Sequence, residues 1–292
     1  MAVALITGTS SGIGRLVVET LARAGHTVYA TMRDRNSRNR DAGDALLHLA
    51  SEHRLAIRVL EMDVQDEEAI EGVVDQIVRE TSRIDVVVNN AGLMSIGLAE
   101  GYTEAQTAQQ MDVNFLGPVR VCRAVLPHLR AQHTGLLIHV TSIVGRILFP
   151  GCGFYCATKF AHEAYAEVLH YELTGADVES VILEPGPYPS RLLPNSPSAR
   201  MCSVSRATAR WPVSGIVSSN ISRSSFFSWG ARHRGSSECD SAAGARASEY
   251  TSHPHRMWRG FRHSRIEPGD CPISSSSAAR TRARNHDPCG SY

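Results

Sequence analysis

Apolar residues come in short, nearly continuous runs along the first 200 positions, and between those runs they recur at helical spacing. The runs predict strands at 3–8 (VALITG), 26–33 (HTVYATMR), 55–63 (LAIRVLEMD), 84–92 (IDVVVNNAG), 136–142 (LLIHVTS) and 178–186 (VESVILEPG). The periodic stretches predict helices at 14–25, 44–53 and 66–81, a long helical region from about 103 to 132, and a helix at 154–173. Strands that are apolar almost throughout are buried on both faces, and the amphipathic helices between them can supply the cover. The expected fold class is therefore α/β, a doubly wound parallel sheet.

The pattern stops near residue 200. Residues 201–292 contain no leucine in 92 positions, yet hold 20 serines, 13 arginines, four of the seven cysteines and all three tryptophans. With 13 Arg against six Asp and Glu, this part carries a net charge of +7. Stretches such as SSNISRSSFFSWG follow neither a period of 2 nor one of 3.6. Three readings stand: an arginine-rich tail that binds nucleic acid, a disordered extension, or a shifted reading frame in a GC-rich gene. Tryptophan and cysteine without patterning favour the third. The expected division is a folded domain at 1–198 and an irregular tail at 199–292, with the sheet lacking its usual seventh strand.

Composition adds exclusions. Formal net charge is +1 and hydrophobic residues make up 42%, as in an ordinary globular protein. No apolar run approaches the roughly 20 residues of a membrane span, and MAVALITG has no basic flank of the kind that opens a secretory signal. Seven cysteines without framework spacing point to reduced thiols and a cytoplasmic setting. Neither a membrane nor a nucleic-acid partner is expected, and no histidine pair has metal-ligand spacing.

Two stretches carry chemistry. The turn TGTSSGIG (7–14) joins the first strand to the first helix, where a doubly wound sheet receives a pyrophosphate. Gly8 permits a tight turn, while Gly12 and Gly14 let backbone and helix approach closely. The second stretch is YCATKF (155–160), with Tyr155 and Lys159 four apart on one helix face. Lys159 is the only lysine in 292 residues, the other 29 of the Lys+Arg class being arginines. A nearby ammonium favours the phenolate, which predicts a tyrosine pKa below its ordinary value of about 10. A compact ammonium can also donate to two ribose hydroxyls, which a planar guanidinium cannot do in the same way.

The set T-G-x-x-x-G-I-G, NNAG at 89–92, Ser142 thirteen residues before Tyr155, Y-x-x-x-K, Asn114 on the long helix and PG at 185–186 resembles the short-chain dehydrogenase/reductase family. The resemblance runs from about residue 2 to 194 and implies a Rossmann fold. It implies an oxidoreductase that passes hydride between nicotinamide and a carbonyl or secondary alcohol. Ser142 would bind the substrate oxygen, Tyr155 would act as acid or base, Lys159 would hold the nicotinamide ribose, and Asn114 would position a water. Cofactor contacts would come from Gly8, Ser11, Gly12, Ile13, Gly14, Asp63, Val64, Asn90, Ala91, Gly92, Tyr155, Lys159, Pro185, Gly186 and Ser190, the last standing where the family often has threonine.

The end of the second strand reads Thr31, Met32, Arg33, with no acid to accept from a ribose. A guanidinium at Arg33 can pair with a 2′-phosphate, helped by Ser11, so NADP(H) is expected over NAD(H). The stretch VYATMRD also resembles the family's 17β-hydroxysteroid dehydrogenase type 1-like branch, which uses NADP(H). An apolar or steroid-like small molecule is the expected substrate. Homo-oligomers are usual in the family, although its oligomer contacts would fall after residue 200, where the pattern has stopped. Two alternatives stand: a remnant that binds NADP(H) without turnover, and a nucleic-acid-binding protein carrying an old Rossmann domain.

Overall fold

The computed structural model describes residues 1–186. The expected tail, the stretch where a seventh strand is expected to be missing, and Ser190 lie outside the described residues. Six parallel strands form one sheet: β1 (Val3–Ile6), β2 (Thr27–Met32), β3 (Ile57–Glu61), β4 (Val86–Asn89), β5 (Gly135–Val140) and β6 (Val178–Leu183). Their spatial order is β3-β2-β1-β4-β5-β6. The chain runs outward from β1 to β3, then crosses back to β4 and runs outward on the other side. The crevice of such a sheet opens where β1 and β4 diverge, at their carboxyl ends.

Helices cover both faces. α1 (Gly12–Arg23) and α2 (Arg40–His53) pack Val18, Ala22 and Leu46 against Ile6, Val28, Ala30 and Val88. On the other face lie α3 (Glu67–Thr81), α5 (Gly117–Gln132) and α6 (Gly153–Glu172), with α4 (Glu104–Met111) leading into α5. There Ile70, Ile77, Val121, Val125, Leu129 and Leu169 meet Leu5, Val87 and Leu137. Alternate residues of β1 thus serve opposite cores, because successive side chains of a strand point to opposite faces.

Local chemistry accounts for the helix ends. The Asp66 side chain accepts from the Ala69 N–H at 3.1 Å, and Glu67 and Glu68 fill the first turn of α3, where the helix dipole favours negative charge. Thr103 and Gln106 form a capping box on α4: Thr103 Oγ1 accepts from the Gln106 N–H at 3.2 Å, and Gln106 Oε1 accepts from the Thr103 N–H at 3.0 Å. Replacing Thr103 with alanine is expected to cost about 1 kcal/mol of stability, read as a shift in urea midpoint.

Most strands end one to three residues inside their predicted runs, α1 runs two residues earlier than expected, and two departures are larger. α2 starts at Arg40, four residues before the periodic stretch, and the added turn brings Ala42 and Gly43 against the core. The long helical region is interrupted at Asp112–Leu116 by a single π turn between α4 and α5. Such turns insert an extra residue that hydropathy does not signal.

Candidate active site

The glycine turn, the loop after β4, Ser142 and the Pro185–Gly186 segment follow the carboxyl ends of β1, β4, β5 and β6, while Arg33 follows β2 and Asp63 and Val64 follow β3. Gly8 has φ +69° and Gly12 φ +61°, in the left-handed region open to glycine. A side chain at Gly8 would stand 2.7 Å from the Ala91 Cα, and one at Gly14 would stand 2.5 Å from the Gly8 carbonyl and collide with Asn90. The turn is therefore pressed against the loop that leaves β4. Thr7 locks the two together: its hydroxyl accepts from the Asn90 and Ala91 N–H groups at 3.0 and 2.9 Å. In return, Asn90 Nδ2 donates to the Thr7 and Gly8 carbonyls at 2.8 and 3.0 Å.

Ser11 caps α1 without a side-chain hydrogen bond, and the first turn holds no acid. The N–H groups there are left for another acceptor, and the helix dipole favours an anion. Ile13 turns its side chain into the core beneath, which leaves its backbone to face the turn. At the end of β2, Arg33 is 41% exposed, and its nearest carboxylate is Asp34 at 3.9 Å. Beyond β3, the Asp63 carboxylate accepts from the Gln65 N–H at 3.0 Å. Val64 is buried under Gly117, where a side chain would come within 2.8 Å of it.

The polar cluster stands across the crevice. Ser142 follows β5 and opens a short 3-10 turn, its hydroxyl accepting from the Val144 N–H at 3.4 Å and standing near enough to Tyr155 to act on its pKa. Tyr155 and Lys159 occupy one face of α6, both buried. Lys159 Nζ donates to the Val140 carbonyl at 3.0 Å and lies 5.8 Å from the Tyr155 ring centroid. Asn114 is fully buried in the π turn, accepting from the Leu93 N–H and donating to the Leu93 carbonyl, both at 2.8 Å. Its amide also donates to the Thr158 hydroxyl at 3.0 Å. Gly92 packs against the Asn114 carboxamide and faces the Lys159 ammonium. Pro185 accepts from the Ile143 N–H at 3.1 Å, which draws the Pro185–Gly186 segment up to the serine turn.

Electrostatics correct one expectation. Tyr155 is not lowered by Lys159: burial pushes the phenol up to about 12, against a lowering by the Ser142 hydroxyl and with further raising by Cys152 and Cys156. Burial takes Lys159 down to about 8, while the carboxylate of Glu163 pulls it back up. Both groups lose water together, and desolvation favours the neutral form of each. At neutral pH the tyrosine is thus a protonated phenol, and the lysine is still largely cationic.

Several contributors escape the sequence reading. Thr7 and Thr158 sit inside recognised motifs, yet their hydroxyls point at partners more than 40 residues away. Gln110, one turn before Asn114, is fully buried and accepts from the Ser95 N–H at 2.7 Å, so residues 110 and 114 together hold the loop after β4. Beside Tyr155 lies an apolar wall of Met94, Ile96, Val144, Phe149 and Cys152. Among the described residues, no group of three His, Cys, Asp or Glu could hold a metal, and no helix is long and apolar enough to cross a membrane. Cys122, Cys152 and Cys156 are free and buried.

The crossover, the glycine turn and the facing polar cluster define a nucleotide-binding α/β protein. The short chain dehydrogenase family matches residues 2–200, and the chain belongs to that family of oxidoreductases, whose members take a nicotinamide cofactor. It is 37% identical over 184 residues to a 3-ketodihydrosphingosine reductase of Bacteroides thetaiotaomicron, covering 63% of each chain. It is 35% identical over 190 residues to the human 17-beta-hydroxysteroid dehydrogenase type 1, covering 63% of this chain and 56% of that one. Among solved structures, an alcohol dehydrogenase from Thermococcus sibiricus complexed with 5-hydroxy-NADP is 30% identical with a TM-score of 0.61. That match covers 68% of this chain and 81% of the other. The chain thus spans a little under two thirds of the length of the reductase.

Proposed function

We propose that this chain carries an NADP(H)-dependent oxidoreductase that moves hydride between nicotinamide and the carbonyl or secondary alcohol of an apolar small molecule. The observation that carries the reading is the juxtaposition of Ser142, Tyr155 and Lys159 with an uncapped helix N-terminus across one crevice. The residues fit a dinucleotide. Gly8 and Gly14 leave a cradle that side chains would fill, and the N–H groups of Ser11, Gly12, Ile13 and Gly14 face an anion position. Arg33 would hold the 2′-phosphate, Asp63 and Val64 the adenine, Asn90, Ala91 and Gly92 the ribose side, and Pro185–Gly186 the nicotinamide. The bound nucleotide supplies the hydride. Ser190 completes the proposed set from outside the described residues.

The protein's own groups do the rest. Ser142 binds the substrate oxygen, and Tyr155, a phenol at neutral pH, is in the form that donates a proton when a carbonyl is reduced. Lys159, still cationic near neutrality, steadies the phenolate that this leaves. Asn114, fastened to Leu93 and Thr158, keeps the π turn behind Lys159 in place. The apolar wall of Met94, Ile96, Val144 and Phe149 favours a hydrophobic substrate over a short polar one.

A thermal melt of the whole chain with NADPH and with NADH tests the cofactor. The reading requires NADPH to raise the midpoint more, and Arg33→Ala to narrow the NADPH-over-NADH preference by about tenfold, the share of one charge-assisted phosphate contact. An equal response to both nucleotides in the native chain would remove Arg33 as a phosphate clamp. Turnover on a panel of apolar and polar ketones then separates an enzyme from a binding remnant.

A further inference from the structure

Glu163 stands one helical turn beyond Lys159 on the same face of α6. Both are nearly closed to solvent, at 3% and 4% exposure. Lys159 donates to the Val140 carbonyl where β5 ends, while burial raises the pKa of Glu163 against a lowering by the Thr141 hydroxyl, the next residue along. Room for the carboxylate exists because residue 145 is glycine; a side chain there would run into Glu163 Oε1. From the solvent side, Arg146 reaches Glu163 Oε2 at 2.5 Å, Glu184 at 2.8 Å and Glu167 at 3.5 Å. Neither oxygen of Glu163 completes a well-aligned hydrogen bond, so its charge is met chiefly by charged neighbours.

An ammonium taken out of water is costly unless an opposite charge accompanies it. The titratable groups around Lys159 are Tyr155, His162 and Glu163 on α6 and His139 on β5, with Arg146, Glu167 and Glu184 farther out. The histidines are neutral or positive, and Glu167 and Glu184 are tied to Arg146 at the surface. No direct ion pair joins the two: the Glu163 carboxylate touches Arg146, and from one helical turn away it is the buried group whose charge favours the ammonium. We propose that Glu163, clipped in place by Arg146, is the counter-ion of Lys159: a positioning residue that keeps the lysine cationic in a site from which water is excluded. The value of that cation to catalysis rests on the hydride-transfer reading; the electrostatic pairing does not.

The test uses the full chain. Because Lys159 is the sole lysine, labelling lysine with carbon-13 at Cε and nitrogen-15 at Nζ gives one side-chain signal whose titration belongs to that residue. The wild-type midpoint is expected near 8. Glu163→Gln keeps the shape and removes the charge, and is expected to lower the midpoint by about one pH unit; Glu163→Asp restores it to within about 0.3 units. In the wild type the same signal carries a smaller step in acid as Glu163 takes its proton, absent from E163Q, whereas steps from His139 or His162 persist in both. That step needs no variant, so the test survives if E163Q does not fold. An unchanged midpoint in folded E163Q, or a wild-type signal without the acid step, overturns the proposal. A chain that shows these shifts but reduces no carbonyl rejects the hydride-transfer reading and keeps the counter-ion; an active chain with an unshifted midpoint does the reverse.

Discussion

Tyr155→Phe is expected to reduce kcat/KM for carbonyl reduction by about 10²- to 10⁴-fold, the usual range for loss of a general acid, while NADPH binding changes by less than about twofold. The substitution removes one oxygen and leaves a ring that packs as before against Val144, Cys152 and Cys156. Lys159 keeps its anchor on the Val140 carbonyl and its place over the ring face. Binding and proton transfer therefore separate cleanly in this variant. The measurements are steady-state turnover on an apolar ketone and a fluorescence titration with NADPH. Retention of more than about a tenth of wild-type turnover would mean that the proton comes from elsewhere, with the Ser142 hydroxyl as the next group in reach. A large loss of nucleotide binding would instead place Tyr155 in the cofactor site first and in the chemistry second.

The contrast between Tyr155 and its surroundings shows what was readable in the sequence. Strand and helix alternation, the β1-to-α1 turn and the Tyr–Lys spacing are local patterns, each set within about ten residues, and all of them appear in the fold where expected. The parallel order of the sheet follows from right-handed crossovers once the alternation is granted. The sign of the Tyr155 shift was not readable. It depends on how much water the neighbours exclude, and those neighbours come from the loop after β4, the serine turn and α6. A motif specifies which groups meet, and the burial around them decides which protonation state each prefers.

The same limit applies to the supports of the site. Asn114 stood out by resemblance, whereas Gln110, Thr158 and the Arg146–Glu163 clip did not, since each is defined by a partner distant in sequence. Gly145 shows the difficulty well. Nothing around it marks a turn that needs glycine, and its φ is not in the left-handed region. The reason for it is the Glu163 carboxylate, 18 residues later, occupying the space a side chain would take. Residues that serve as room for others leave no local signature.

The buried histidines lead to the second large effect. His139 on β5 and His162 on α6 place Nδ1 and Nε2 2.9 Å apart, and the other nitrogen of each ring is buried without a hydrogen-bond partner. Burial lowers His139 to about 4, and burial, Lys159 and His139 hold His162 well below its ordinary value. Since the unfolded chain binds protons at these residues near pH 6.5 and the folded chain refuses them, stability is complete above about pH 6.5 and falls as the pH drops toward 4. Each histidine contributes about 1.4 kcal/mol per pH unit within that window, so the pair is expected to cost about 2–3 kcal/mol between pH 7.5 and 5.5. Glu163, whose pKa is raised, opposes the trend weakly, because in acid the folded state holds its proton more tightly than the unfolded chain does. Urea melts across this range measure the slope. His139→Val with His162→Leu replaces both partners by apolar groups, a change that can be nearly neutral at pH 7.5, and it should flatten the slope below pH 6.5. A native chain whose stability is level from pH 7.5 to 5.5 would show that the pair accepts a proton in the folded state, and that the core beneath Lys159 is wetter than its geometry indicates.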